Sequence, residues 1–237
     1  GKSTTCYTVL SELNREEVNI ITVEDPVEAN VNGVNQVQVN VKADLTFASA
    51  LRSILRQDPD IIMIGEIRDG ETAGIAVKAS ITGHLVISTL HTNSTAASIT
   101  RLIDMGVEPY LIGDSVVGII AQRLVRKLCP ACKRARTAND KEKKLLGISP
   151  FNEQVIYDPV GCEACGGIGY KGRTAIYEIM PITNKIRANI HDRVTAEELK
   201  NVAVSEGMNT LRMAAAQKVM EGVTSISEMV KVAYEAE

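Results

Sequence analysis

The chain begins with Gly1-Lys2-Ser3-Thr4, which matches the last four residues of a phosphate-binding loop of the form G-x-x-x-x-G-K-[ST]. In that loop the lysine reaches the β- and γ-phosphates, and the hydroxyl binds Mg²⁺. The signal is weak by itself, because the tripeptide Gly-Lys-Ser is common by chance. The motif therefore indicates a nucleotide site only together with further residues.

Acidic residues stand at the carboxyl ends of two predicted strands, and a histidine stands at the end of a third. They are Glu24 and Asp25, then Glu66, and finally His91. Because ligands bind beyond the carboxyl ends of parallel strands, these side chains would meet a bound triphosphate. One acid would deprotonate the attacking water and another would hold Mg²⁺ through water. Each acid taken singly could instead cap a helix or end a strand in solvent.

Four of the five cysteines form two C-x-x-C pairs, which are Cys129 with Cys132 and Cys162 with Cys165. Two such pairs can supply four thiolates to a tetrahedral Zn²⁺, and a site closed in this way is structural. Free buried thiols and a redox pair are the alternatives. An odd cysteine count without a secretion signal favours a reducing, cytosolic compartment. The fifth cysteine, Cys6, is predicted to be a small buried residue in the first helix.

Strand-like and helix-like segments alternate from residue 1 to about residue 121. Short apolar runs predict buried parallel strands, and segments with helical spacing lie between them. The predicted strands are 19–24, 34–41, 60–65 and 84–90, and the predicted helices are 46–57 and 71–81. This order predicts an α/β fold with a mainly parallel sheet and helices on both faces.

The composition changes after residue 122. Residues 123–180 begin with a basic run and contain both cysteine pairs, so they are predicted to form a small zinc-binding subdomain. Residues 181–237 are predicted to be a helical subdomain, with capping boxes that begin at Thr195 and Ser225. The predicted division is therefore 1–122, 123–180 and 181–237.

Composition is that of an ordinary globular protein. Of the 237 residues, 45% are hydrophobic and 23% are charged, which excludes a disordered or fibrous chain. The apolar stretches are too short for a membrane span, and we expect none. A net charge of −3 and an aromatic content of 3% argue against a nucleic-acid partner. The basic run 123–144 leaves three interpretations open: a solvated surface, a docking face for a membrane-bound partner, or a nucleic-acid contact.

Longer segments resemble the conserved boxes of secretion ATPases. Residues Ile21–Glu28 resemble their Asp box, Leu55–Asp69 their atypical Walker B segment, and Thr82–Asn93 their His box. Residues Cys129–Arg173 resemble the tetracysteine insert of the type II secretion and type IV pilus-assembly branch. The resemblance covers essentially the whole chain, and ordered blocks of this length are far more specific than the Gly-Lys-Ser tripeptide.

The resemblance implies a RecA-like P-loop core with ATP, Mg²⁺ and Zn²⁺ as ligands. It also implies a homo-hexamer that hydrolyses ATP at the cytoplasmic face of the inner membrane, together with a platform protein of a pilus or secretion machine. The tetracysteine insert argues against the retraction-type branch of the family. Pilus assembly, type II secretion and DNA uptake share all of these motifs, so the sequence does not separate them.

The resemblance also implies individual roles. Lys2 and Ser3, within Gly1-Lys2-Ser3-Thr4, would contact phosphate and Mg²⁺. Glu24 would be the general base, with Asp25 beside it, and Glu66 would be the Walker B acid near Mg²⁺. Arg68 would serve the phosphates or a subunit interface. His91 would lie near the site, whereas His84 begins its strand and could equally be structural.

The first residue, Gly1, corresponds to the sixth position of the phosphate-binding loop. The five preceding positions supply most of the backbone donors, so we expect residues 1–237 alone to hydrolyse ATP poorly. Two other functions remain open from the sequence. One is a RecA-like nucleic-acid motor with a zinc ribbon, and the other is an inactive fragment that serves as a zinc-stabilised assembly surface.

Overall fold

A four-stranded parallel sheet is the centre of the first of two units formed by the chain. The structure is a computed structural model that describes residues 1–235. The strands are β1 (Ile20–Glu24), β2 (Asn35–Gln38), β3 (Ile61–Ile64) and β4 (Leu85–Ser88), in the order β2-β1-β3-β4. Val23 pairs with Ile64, so Glu24 and Gly65 leave neighbouring strands at the same edge. The predicted α/β class with a parallel sheet is thereby confirmed.

Helices precede, connect and follow the strands of this unit, and polar side chains cap the starts of two of them. The helices are α1 (Lys2–Leu13), α2 (Phe47–Ile54), α3 (Gly70–Ile81), α4 (Thr95–Asp104) and α5 (Pro109–Ser115). Thr46 and Ser49 form a capping box at α2, and the Asp69 side chain accepts the amide of Thr72 at α3. Leu10 of α1 packs in one buried cluster with Ile20, Ile61 and Met63 of the sheet. This packing fixes the start of α1 relative to the strand ends.

Two long strands and a hairpin make up most of the second unit. The elements are β5 (Gly118–Leu128), β6 (Arg134–Thr137), α6 (Asp140–Leu146), β7 (Val155–Asp158) and β8 (Tyr170–Pro181). β5 pairs with β8, and β6 pairs with β7 in antiparallel fashion. The segment between the two cysteine pairs is thus a hairpin that encloses a short helix.

Short helices follow β8 to the end of the described chain. They are α7 (Asn184–Ala188), α8 (Ala196–Ser205), α9 (Leu211–Met220) and α10 (Ile226–Glu235). Thr195 and Glu198 form the predicted capping box, with the Thr195 amide 2.8 Å from Glu198 Oε2. No helix in residues 1–235 is both long and apolar enough to cross a membrane.

The two units are assembled from segments that are distant in the chain. The first contains Gly1–Thr92, Ala96–Ile119 and Pro181–Val202, and the second contains the remaining described residues. Within the second unit the carboxylate of Glu178 is buried, with 3% of the residue exposed. It accepts the backbone amide of Thr95 at 2.9 Å and that of Leu211 at 3.1 Å. The division at residues 122 and 180 stays a prediction.

Two local predictions were wrong. The predicted strand 34–41 pairs only over Asn35–Gln38, because the chain turns into a 3₁₀-helix at Val41–Ala43, followed by Asp44 with φ at +54°. At α10 the Ser225 hydroxyl accepts the Glu228 amide at 3.4 Å. The Glu228 carboxylate does not complete the capping box, because it accepts hydrogen bonds from Arg126 instead.

Candidate active site and metal centre

A cavity of about 220 Å³ lies in the first unit where the parallel strands end. It is lined by residues from the start of α1 and by residues that follow β1, β3 and β4. The predicted site residues among them are Lys2, Ser3, Glu24, Asp25, Glu66, Arg68 and His91. Gly1 caps α1, and neither Gly1 nor Thr4 is part of the lining. His84 lies at the other end of β4, where its Nδ1 is 3.0 Å from the Ala79 carbonyl oxygen.

Glu24 is buried at the carboxyl end of β1, with 4% of its surface exposed, and three side chains donate to its carboxylate. Oε1 accepts the Thr22 hydroxyl at 2.5 Å and the Gln36 amide at 3.0 Å. Oε2 accepts the hydroxyl of Tyr7, which lies one turn after Ser3 on α1. A carboxylate with this many donors keeps a fixed orientation although it lies in the interior.

The loop after β1 connects the phosphate-loop residues to Glu24. Ser3 Oγ donates to Glu28 Oε1 at 2.8 Å. The backbone amide of Glu28 donates to the Tyr7 hydroxyl at 3.1 Å. Burial and the hydrogen bond to Glu24 raise the pKa of Tyr7 above its ordinary value, so the phenol stays protonated.

Glu66, which follows β3, lies between the guanidinium of Arg68 and the imidazole of His91. Its Oε2 is 2.6 Å from Arg68 Nε, and its Oε1 is 2.7 Å from His91 Nε2. Arg68 also approaches Asp25 at 3.7 Å. The hydrogen bond to Glu66 raises the pKa of Arg68, which keeps the guanidinium charged. The predicted residues Asp25, Glu66, Arg68 and His91 thus form one connected group.

Gly65 permits the close approach of β1 and β3 at this cavity. A Cβ atom at Gly65 would lie 3.3 Å from both the Glu24 Cα and the Val23 carbonyl oxygen. The Thr89 hydroxyl donates to the Gly65 carbonyl oxygen at 2.7 Å and links the end of β4 to the same point. A side chain at position 65 would therefore separate Glu24 from Glu66.

The oxygen groups that meet here suit a hard divalent cation. The Ser3 hydroxyl and the carboxylates of Asp25, Glu28 and Glu66 line one cavity, and oxygen ligands are those that Mg²⁺ prefers. Lys2 lies at the start of α1, with Nζ 3.4 Å from the Leu90 carbonyl oxygen, so an ammonium group is close to the same edge. The donor set fits Mg²⁺ and phosphate oxygens.

Three residues of this site were not predicted from the sequence: Tyr7, Glu28 and Gln36. Glu28 stands within the Asp box but received no role. Tyr7 follows Ser3 at the i, i+4 spacing that places two side chains on one helix face, and this spacing was the available signal. Gln36 lies on the edge strand, where its alternation with apolar residues indicated only a half-exposed position.

The four paired cysteines form a cluster in the second unit, with their sulfur atoms all within 4.8 Å of one another. The Cys129–Cys162 and Cys132–Cys165 distances are 3.9 Å, and the Cys162–Cys165 distance is 3.8 Å. These values exceed the ~2.05 Å of a disulfide. They match the ~3.8 Å edge of a tetrahedron with metal–sulfur bonds of ~2.3 Å. The cluster therefore has the geometry of a four-thiolate metal site.

Backbone amides point at the sulfur atoms of this cluster. Cys165 Sγ accepts the amides of Cys162 and Gly169, both at 3.2 Å, and Cys132 Sγ accepts the amide of Gly161 at 3.3 Å. The hydrogen bonds from Cys162 and Gly169 lower the pKa of Cys165 to about 6. Burial raises the pKa of Cys132 to about 11. At least one sulfur is thus ready to bind a metal as the thiolate.

The known proteins that this chain resembles are secretion and pilus-assembly proteins. The family model described as "Type II/IV secretion system protein" matches residues 1–231. The chain is 50% identical over 235 residues to the type II secretion system protein E of Pseudomonas aeruginosa, covering 99% of this chain and 47% of that protein. It is 50% identical over 233 residues to the type IV pilus assembly ATPase PilB of Myxococcus xanthus, covering 97% of this chain and 41% of that protein.

A solved structure shows the same fold. The pilus retraction motor PilT with bound ADP superposes with a TM-score of 0.72 and is 28% identical. The match covers 98% of this chain and 57% of the PilT chain. The chain thus spans about half the length of the curated relatives that it matches.

Proposed function

Because the chain belongs to the type II/IV secretion system protein family, we propose that it is the motor part of an ATPase that powers type IV pilus assembly or type II protein secretion. The observation that carries the proposal is the cavity at the ends of β1, β3 and β4. The cavity combines the ammonium group of Lys2, the hydroxyl of Ser3 and several carboxylates, which are the groups required to bind and hydrolyse MgATP.

The start of α1 would hold the phosphates of ATP. The ammonium group of Lys2 would neutralise charge on the β- and γ-phosphates, and the Ser3 hydroxyl would be a ligand of Mg²⁺. Mg²⁺, when bound, supplies charge neutralisation on the phosphate oxygens. The Ser3 hydroxyl donates to Glu28 in this structure, so it must exchange that acceptor before it contacts the cation.

Glu24 is the general base in this proposal. Its carboxylate takes one proton from a water molecule whose oxygen attacks the γ-phosphorus. The bond between the γ-phosphorus and the β–γ bridging oxygen then breaks, and ADP and inorganic phosphate leave. A positioned base of this kind accelerates proton transfer by ~10²–10⁴-fold. Asp25 lies next to this carboxylate in the chain and holds Arg68 at 3.7 Å.

Glu66 would hold the water ligands of the cation, while Arg68 and His91 hold Glu66. His91 Nε2 contacts one Glu66 oxygen, and Arg68 Nε contacts the other. With 59% and 77% of their side chains exposed, Arg68 and His91 are free to exchange Glu66 for a phosphate oxygen. The two residues would thus respond to the presence of the γ-phosphate.

The four-cysteine cluster would hold a structural Zn²⁺. The tetrahedral spacing of its sulfur atoms supports this assignment, and four protein ligands leave no open coordination position for a substrate. Leu128, next to Cys129, donates its amide to the Val223 carbonyl oxygen at 2.9 Å, so the site would also support the segment between α9 and α10.

The assembly and the location of the motor belong to the same proposal. The chain would act as a homo-hexamer that is peripheral at the cytoplasmic face of the inner membrane and docks on a platform protein of the pilus or secretion machine. The relatives named for type II secretion and for pilus assembly support the link to such a machine.

MgATP hydrolysis by the full-length protein tests the proposal, with Glu24→Gln as the variant and the exposed Glu12→Gln of α1 as its matched control. We expect turnover that Glu24→Gln lowers by ~10²–10⁴-fold and Glu12→Gln leaves unchanged. Single-stranded DNA should not stimulate the rate. Strong stimulation would indicate a nucleic-acid motor instead, and the absence of any turnover would indicate an inactive assembly component.

A further inference from the structure

We infer that Tyr7 is a positioning residue for hydrolysis, which fixes the Glu24 carboxylate so that Oε2 is the oxygen that takes the proton from water. The inference rests on the proposed function and adds a residue and an atom to it. It is carried by the hydrogen bonds around Glu24 and Tyr7.

The two oxygens of Glu24 differ in the number of donors. Oε1 accepts hydrogen bonds from Thr22 and from Gln36 and is therefore saturated. Oε2 accepts only the Tyr7 hydroxyl among the described residues and retains a free lone pair. Glu24 also lines the cavity, and Oε2 is the oxygen that has a lone pair left to accept a hydrogen bond from a water molecule there.

The amide of Glu28 fixes the direction in which the Tyr7 hydroxyl donates its hydrogen. The hydroxyl accepts the backbone amide of Glu28 at 3.1 Å, so its single hydrogen remains for Glu24. The raised pKa of Tyr7, caused by burial and by the bond to Glu24, keeps that hydrogen on the phenol. Tyr7 therefore acts only as a donor to Oε2 and holds the carboxylate in one rotamer.

The same hydroxyl connects Glu24 to the residue expected to bind Mg²⁺. Ser3 donates to the Glu28 carboxylate, and the Glu28 amide donates to Tyr7, which donates to Glu24. Movement of Glu28, when Ser3 changes its acceptor, would reach Glu24 through this one phenol. Tyr7 thus couples occupancy of the phosphate loop to the orientation of the base.

The test compares Tyr7→Phe with wild type in the full-length protein, and exposed Tyr110→Phe of α5 is the matched control. Phenylalanine keeps the ring, so thermal unfolding should change little. We expect Tyr7→Phe to lower kcat ~10–100-fold, which is the effect of a misplaced catalytic group, while KM for MgATP and the Kd for ADP stay within about twofold. Tyr110→Phe should match wild type.

Infrared spectra of the nucleotide-free protein give a second readout, which does not depend on ATP hydrolysis. The difference between wild type and Glu24→Gln identifies the Glu24 carboxylate band, and Tyr7→Phe should shift that band, because Oε2 loses its donor. A kcat equal to wild type would overturn the inference, as would a lower kcat without a band shift. If neither wild type nor Tyr7→Phe hydrolyses MgATP, the proposed function itself is wrong, and the inference on Tyr7 is overturned with it. This outcome differs from equal, measurable kcat values, which overturn only the inference on Tyr7.

Discussion

The imidazole Nε2 of His91, which follows β4, lies 2.7 Å from the Glu66 Oε1, which follows β3. The two residues are 25 positions apart in the chain, but each follows one of two adjacent parallel strands. Since Arg68 occupies the other Glu66 oxygen, the acid is held from both sides. The contact therefore makes His91 part of the site and leaves His84, at the opposite end of β4, outside it.

Replacing His91 should affect catalysis more than folding. Its side chain is 77% exposed, and exposed pairs of this kind contribute at most ~1 kcal/mol to stability. We expect His91→Ala to lower kcat for MgATP ~10-fold or more and to leave the melting temperature nearly unchanged. His84→Ala is the control and should retain wild-type kcat. Equal kcat values for the two variants would contradict the prediction.

Gly65→Ala should disturb the cavity from within the sheet. The new Cβ would meet two backbone neighbours at 3.3 Å, and backbone atoms yield only when the strands shift. We expect a loss of ~1–3 kcal/mol in stability and a lower kcat, because Glu24 moves with its backbone. Gly74→Ala in α3 is the matched control. Its Cβ meets nothing within 4 Å, so helix propensity should stabilise it by ~0.5–1 kcal/mol without affecting kcat.

In the proposed zinc site, removing one cysteine should prevent metal binding and weaken the second unit. Cys129 is fully buried, and we expect Cys129→Ser to abolish bound zinc and to lower the unfolding free energy by ~4 kcal/mol or more. Atomic emission measures the zinc content, and urea titration measures the stability. Cys6→Ser, in the first unit, should keep one zinc per chain. Full stability of a zinc-free Cys129→Ser protein would show that the cluster is not structural.

Glu228 should make stability depend on pH in the acid range. Burial opposes its ionisation, but hydrogen bonds from the Arg126 side chain and amide and from Lys231 outweigh burial and lower its pKa to about 2. Because the folded pKa lies below the ordinary 4.5, the unfolded chain binds the proton first as the pH falls. The contribution of Glu228 is therefore complete above about pH 4.5 and is lost toward about pH 2, by ~3 kcal/mol in all.

Urea titrations between these pH values test this dependence. We expect Glu228→Gln to be less stable than wild type at pH 7 and to lose this part of the acid dependence. Glu153→Gln, at an exposed loop position of the same unit, should stay within ~0.5 kcal/mol of wild type and keep the dependence. Parallel curves for wild type and Glu228→Gln would refute the assignment.

The parts that could be predicted from the sequence are those governed by short-range pattern. The run that became β3 is apolar throughout, and the run that became β1 is apolar apart from Thr22 and its last residue, Glu24, so both were recognisable as buried strands. Their parallel pairing followed from the alternation of strands with helices. Once the strands were placed, the geometry of parallel sheets brought Glu24, Glu66 and His91 to one edge. The structure places all three in one cavity, as the order of the strands implied.

The parts that could not be predicted depend on partners far apart in the chain. β5 and β8 are the longest strands in residues 1–235, yet Arg126 of β5 belongs to the basic run for which a solvated surface, a docking face and a nucleic-acid contact all stayed open. The structure places Arg126 over the Tyr170 ring at 4.0 Å and against Glu228, two partners that the run itself does not indicate. Tyr7 and Gln36 could not be predicted for the same reason. Both act through hydrogen bonds to the Glu24 carboxylate, and no local sequence pattern connects them to it.

The segmental make-up of the two units has a consequence for biosynthesis. Glu178 holds the amides of Thr95 and Leu211, so the segment at residue 95 finds its partner only after residue 178 has left the ribosome. The first unit likewise waits for Pro181–Val202. Neither unit can complete its folding during translation of the residues before position 181. A nascent chain halted there would lack segments of both units and would expose apolar surface that is buried in the finished structure.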